Sequence, residues 1–148
     1  MKRIHLHVNV SEEKLDRSVD FYASLWGCGP TTRHPGYAKW LLDDPAVNFT
    51  VEVLEIEGDV PGIHHVGIQV DDEAELESIR RALEAAEAPL LEVGRTQCCF
   101  ADSEKNWTAD PQGVRWETFR SFGQLDHYGA KTDEELSLYT AKPSDERG

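Results

Sequence analysis

Ile4, Leu6, Val8 and Val10 alternate with His5, His7 and Asn9, the period-two pattern of a half-buried strand with a polar second face. Ser11 follows as a candidate helix cap, with Glu12 and Glu13 suited to a first turn. Leu15, Val19, Tyr22 and Trp26 then recur at helical spacing until Gly27, Gly29 and Pro30 end the helix. Strands are predicted at residues 37–42 and 47–56, with Asp43, Asp44 and Pro45 as the turn between them. The pattern then repeats. "HLHVNVSEE" aligns with "HVGIQVDDE", so that His5 falls on His65, Val10 on Val70 and Ser11 on Asp71. A second helix carries Leu76, Ile79 and Leu83 on one stripe and stops near Pro89. Strands are predicted at 90–94, 98–102 and 114–119, with "ADPQG" turning the chain before the last. Past Gly123 the pattern fades into a polar tail, for which a mobile segment or a short helix at 133–139 are the alternatives.

These elements predict an α+β fold of two pseudo-symmetric βαβββ modules, at about 1–58 and 62–122, forming one domain of residues 1–122 with a tail at 123–148. Two modules of this kind bury each other's sheets and leave a cleft in which equivalent strands face one another.

A chain of 148 residues is long enough for a real core. Its net charge of −13 disfavours phosphate backbones and anionic lipid, which excludes nucleic acid and membrane surfaces as expected partners. "MKRIHLHVNV" reads directly as a strand and lacks the apolar core of a leader. Three cysteines, an odd number, fit a reducing compartment, so the cytoplasm is the expected location.

The repeat carries chemistry with it. His5 and His65 occupy matching places on matching faces of the two first strands. Pseudo-twofold symmetry then makes the two imidazoles converge, and Gly67 beside His65 leaves room for something bulky. A third ligand is sought on a strand facing the same cleft, and "VRWETF" offers Glu117, an acid in an apolar strand that must be paired, protonated or metal-bound. Two imidazoles and one carboxylate suit non-haem Fe(II) and oxygen chemistry. His7 and His64 read as hydrogen-bonding residues. The bland alternative, three unconnected residues each satisfied locally, stays open on spacing alone. Cys98 and Cys99 stand side by side, and three readings compete: one buried and one incidental thiol, a vicinal disulfide, or a dithiol for a thiophilic centre where the backbone bends. Cys28, after the first helix, reads as a buried or incidental thiol.

"HVNV", "DFYASLWG", "GYAKWLLDDPAVNFTV", "HHVGIQV", "TQCCFADSEKNWTADPQG" and "WETF" together resemble the vicinal oxygen chelate superfamily, the glyoxalase, bleomycin-resistance and extradiol dioxygenase fold. Within it the resemblance is to the organoarsenical C–As lyase and cadmium-induced group. The resemblance implies a metal held by His5, His65 and Glu117, and substrate thiols at Cys98 and Cys99. It further implies Fe(II) as cofactor, dioxygen as co-substrate, a trivalent organoarsenical such as methylarsonous acid as substrate, and arsenite as product. Lys105 is a candidate for favouring the thiolates, and a homodimer is the candidate assembly. Two features depart from the group. Thr96 is followed by Gln97 where a second threonine is usual, which touches substrate preference. Some relatives place Gln at the position of His5. The rival functions are a non-catalytic cadmium- or arsenic-binding protein, and a ring-cleaving dioxygenase or glyoxalase-type enzyme of the same fold. The rival enzymes need no paired cysteines.

Overall fold

Apolar alternation at the N-terminus becomes strand β1, Arg3–Val10. The computed structural model describes residues 1–54, 56 and 58–129, with 98, 99 and 124–129 described as main chain only. The expected helix at 133–139, the rest of the tail from 130, and the side chains of Cys98 and Cys99 lie outside the described residues. Among the described residues there are seven strands and two α-helices, and the chain divides into two compact units, the first spanning residues 3–66 and the second beginning at Gly67.

In the first unit β1 is followed by a 3₁₀ turn at Glu12–Lys14, helix α1 (Leu15–Trp26), and strands β2 (Thr32–His34), β3 (Tyr37–Asp43) and β4 (Ala46–Val53). Its strand order is β2-β3-β4-β1-β5, where β5 is Gly62–Gln69 and carries the chain into the second unit. β1 runs parallel to β4, and β3 runs antiparallel to β4. The helical stripe Leu15, Val19, Tyr22 and Trp26 packs on Val8, Val10, Ala38, Trp40, Val47, Phe49 and Val51. Tyr22 and Trp26 meet Phe49 at ring-centroid distances of 4.4 and 5.4 Å. Trp40 is fully buried, and its indole N–H donates to the Cys28 carbonyl at 2.9 Å, so the ring carries no orphaned donor inside. Ser11 makes no capping bond from its side chain: a 3₁₀ turn intervenes, closed by Lys14 N–H on the Ser11 carbonyl, and α1 starts at Leu15. Gly27 ends α1 at φ 76°, the left-handed geometry that favours glycine there.

One expectation for this unit is corrected. β1 is not half-buried: Val8 and Val10 are buried on one face, and His5, His7 and Asn9 on the other. In register beside them on β4 stand Asn48, Thr50 and Glu52, also buried. The polar face of the strand pair is therefore an internal polar layer and not a solvated surface.

The second unit contains the end of β5, helix α2 (Glu73–Ala85), and strands β6 (Leu90–Ala109) and β7 (Arg115–Gly129), in strand order β5-β7-β6. The helix cap is Asp72, whose carboxylate accepts the Glu75 N–H at 2.9 Å, and not Asp71, the position the repeat predicts. Leu76 is buried with Val70, Phe100, Trp107 and Phe119. The two strands predicted at 90–94 and 98–102 are one, and it continues through 103–109. The continuation escapes hydrophobic patterning because Ser103, Lys105 and Asn106 are polar and yet buried. Asp110 then turns the chain, its carboxylate accepting the N–H groups of Gln112 and Val114, each at 2.9 Å. β7 pairs antiparallel with β6 and runs on to Gly129, beyond the point where apolar alternation fades.

Candidate metal centre

Convergence of the aligned histidines is realised within the first unit. His5 on β1 and His65 on β5 are 6% and 2% exposed, and their Nε2 atoms lie 3.3 Å apart. Two nitrogens bound to one ion at about 2.1 Å each, at right angles or tetrahedrally, stand about 3.0–3.4 Å apart, so the pair already has the spacing of two ligands. The hydrogen bonds behind the rings fix which nitrogen is offered. His5 Nδ1 lies 2.9 Å from the Asn48 carbonyl, an obligatory acceptor, so Nδ1 carries the proton and Nε2 the lone pair of the neutral ring. The Asn48 side chain adds a contact at 3.1 Å. His65 Nδ1 lies 2.8 Å from His64 Nδ1, and His64 Nε2 faces the Asp59 carboxylate at 3.9 Å. His64 oriented by Asp59 can accept from His65 Nδ1–H, which again leaves Nε2 to a ligand. Two buried imidazole nitrogens at this spacing are a donor set that a divalent ion fits.

Asn48 and His64, which contact the His5 and His65 rings, were overlooked or set aside in reading the sequence. Asn48 was visible in "AVNFTVEV", where Asn48, Thr50 and Glu52 alternate with Val47, Phe49 and Val51 at strand period, the same signal that exposed the histidines. His64 follows the opposite rule: alternation assigns it to the other face from His65, and the two rings nonetheless meet edge to face at 5.1 Å.

Glu117 is on β7 in the second unit, 6% exposed, beside Trp107 in the strand register. Its carboxylate Oε1 lies 3.1 Å from the Lys105 ammonium, and both side chains are buried. Lys105 is opposite Phe119, two residues from Glu117 on the same face of the ribbon, which is why they meet. Lys105 thus stands as the partner of Glu117. The expectation that Gly67 leaves room for something bulky is corrected: a Cβ there would sit 2.4 Å from the Glu117 carbonyl oxygen, so the space is filled by the main chain of β7. Cys98 and Cys99 are on β6, and the β6–β7 register shifts between Cys99 and Ala101, a backbone irregularity at the place where the dithiol reading needs one. Cys28 is an exposed free thiol and not a buried one.

No family model matches the chain. Among solved structures it resembles the 2,3-dioxygenase LapB from Pseudomonas sp. KL28, with a TM-score of 0.62 and 20% identity over 90% of this chain and 47% of that one. Strand order, paired units and this likeness define the class: the fold is that of the vicinal oxygen chelate superfamily. The chain is 38% identical over 123 residues to the trivalent organoarsenical cleaving enzyme of Bacillus sp. strain MD1, covering 80% of this chain and 73% of that one. It is 32% identical over 131 residues to the cadmium-induced protein CadI of Mycobacterium tuberculosis strain ATCC 25618 / H37Rv, covering 88% and 83%. It belongs to the trivalent organoarsenical cleaving enzyme family. No helix among the described residues is long and apolar enough to cross a membrane.

Proposed function

We propose that this chain cleaves the carbon–arsenic bond of trivalent organoarsenicals, methylarsonous acid among them, in a reaction that needs Fe(II) and dioxygen; arsenic leaves as arsenite, and dioxygen oxidises the organic group, which leaves as an aldehyde-level fragment when it is methyl. Membership of the family carries the cleavage of trivalent organoarsenicals, which the Bacillus relative bears in its name; the iron, the oxygen and the particular substrate are part of the proposal. The buried imidazole pair supports it with a donor set for a divalent ion. In this reading His5, His65 and Glu117 hold iron, the two-imidazole, one-carboxylate set that suits Fe(II). Iron bound there supplies the activation of dioxygen that the thiols and carboxylate cannot.

The remaining work belongs to the chain. Asn48 and His64 hold the two rings in the tautomer that presents Nε2. Lys105, expected from the sequence to favour thiolate formation, is better suited to orienting the carboxylate its ammonium meets. Cys98 and Cys99 hold arsenic as a dithiolate, the second sulfur–arsenic bond forming at high effective concentration once the first is made. A substrate tethered at two sulfurs loses most of its rotational freedom before the reaction, which is the positioning contribution of the site. Cytoplasmic location and a homodimer belong to the same proposal.

The test is arsenic speciation. The reduced protein is loaded with Fe(II) without air, methylarsonous acid is added, and oxygen is then admitted, with Cys98→Ser and His65→Ala run in parallel. Arsenite is expected only with iron, oxygen and both residues intact. An arsenical bound one per chain and never cleaved would make this a sequestering protein and refute the proposal.

A further inference from the structure

His5 and His65 have a third neighbour of the same chemistry. His7 lies on the same face of β1 as His5 and is 4% exposed. Its ring stacks on His65 with centroids 4.6 Å apart and planes 23° apart. One ring nitrogen from each of His5, His7 and His65 lies within 4.8 Å of the others. All three residues are in the first unit, so this donor set takes nothing from Glu117.

Three imidazoles make a ligand set for zinc, whereas two imidazoles and a carboxylate suit ferrous iron. We infer that His5, His7 and His65 form a three-imidazole site for a divalent cation of the zinc class, an alternative to the iron set in which His7 takes the place of Glu117. His5 and His65 already have the tetrahedral spacing of about 3.3 Å, so only His7 has to close in. The approach needed is at most roughly 1.5 Å, and the His7 ring must turn out of its stack on His65, because an imidazole binds a metal in its own plane. Glu52, with Oε1 3.8 Å from His7 Nε2, stands where a carboxylate can orient that ring from behind. Such nitrogen sites bind zinc more tightly than ferrous iron. Zinc held here therefore excludes iron, because both sets require His5 and His65.

The inference shares those two ligands with the proposed function but none of its arsenic or oxygen chemistry, so the two fail separately. Zn(II) is titrated in competition with a chromophoric chelator into the full chain, the Glu117→Gln variant, and Glu117→Gln combined with His7→Gln. One Zn(II) per chain is expected in the first two, and a weakening of about 10- to 100-fold or more on adding His7→Gln. Loss of binding with Glu117→Gln alone, or no effect of His7→Gln, would overturn the inference. The unaltered chain gives an independent reading through ¹⁵N spectra of its histidine rings. Zn(II) should shift the ring nitrogens of His5, His7 and His65 together; an unmoved His7 ring would overturn the inference whatever the variants do. A chain that passes both tests and releases no arsenite refutes the lyase and leaves this site standing.

Discussion

Replacing Gly67 by alanine adds one methyl group where β7 comes close to β5. The new carbon would lie 2.4 Å from the Glu117 carbonyl oxygen and 3.3 Å from both its carbonyl carbon and its Cβ. Ordinary contact begins near 3.4 Å, so β5 and β7 must part locally by roughly 1 Å. The obstacle is main chain, which cannot rotate aside like the end of a flexible side chain. Overpacking of a close-packed interior costs about 1–3 kcal/mol, and a rigid obstacle places this case in the upper half of that range. For a chain of this size each kcal/mol moves the midpoint by about 2–4 °C, so Gly67→Ala should lower Tm by roughly 5–10 °C. Urea unfolding should show a lower midpoint with an unchanged slope. Gly29→Ala is the matched control, because a Cβ there meets nothing within 4 Å. If the two variants unfold at the same temperature, Gly67 is not where β7 approaches, and the account of the Glu117 main chain is wrong.

Three other outcomes follow from the same structure. Lys105→Met leaves the Glu117 carboxylate buried without its ammonium, which should cost the metal-free protein about 3–5 kcal/mol in chemical unfolding; most of that loss should vanish in Lys105→Met combined with Glu117→Gln. Asp72→Ala removes the bond that caps α2 and should cost about 1 kcal/mol, read as a Tm decrease; an unchanged Tm would refute the cap. Hydrogen bonding from Arg80, with help from Arg81, holds the Glu77 carboxyl at about 2, below its ordinary 4.5. A carboxyl depressed in the folded state contributes stability that is present above the unfolded value and is lost as pH falls toward 2. Carboxyl NMR titration should find Glu77 ionised at pH 3, and Arg80→Gln should raise its midpoint; a midpoint already near 4.5 in the unaltered chain would refute the pairing.

Much of the fold was legible because apolar periodicity marks β1, α1, β4 and α2, although in β1 and β4 the polar face is buried as well. The strand–helix repeat in the sequence aligns His5 with His65, and the two rings meet because β1 and β5 are neighbouring strands. What periodicity missed is polar. Ser103, Lys105 and Asn106 extend β6 through a stretch that apolar patterning does not assign, because they are polar and yet buried, Lys105 against the Glu117 carboxylate. β2, Thr32–His34, is too short to show a period. His7 and His64 were set aside as ordinary hydrogen-bonding residues, because a chain position does not reveal that the His7 ring will stack on His65 from another strand, or that the rings of neighbours His64 and His65 will meet edge to face. Glu117 was legible as an acid in an apolar strand, but its pairing with Lys105 depends on the β6–β7 register, which only the turn at Asp110 fixes.

Oxygen consumption measured against arsenite formation tests the central claim most directly. The iron-loaded chain carrying bound methylarsonous acid is mixed with a limiting amount of dissolved oxygen, and both quantities are followed through a single turnover. The proposed chemistry predicts that arsenite appears in proportion to the oxygen consumed and stops when the oxygen is exhausted. Arsenite released at the same rate without oxygen, or oxygen consumed while the organoarsenical stays intact, would contradict it.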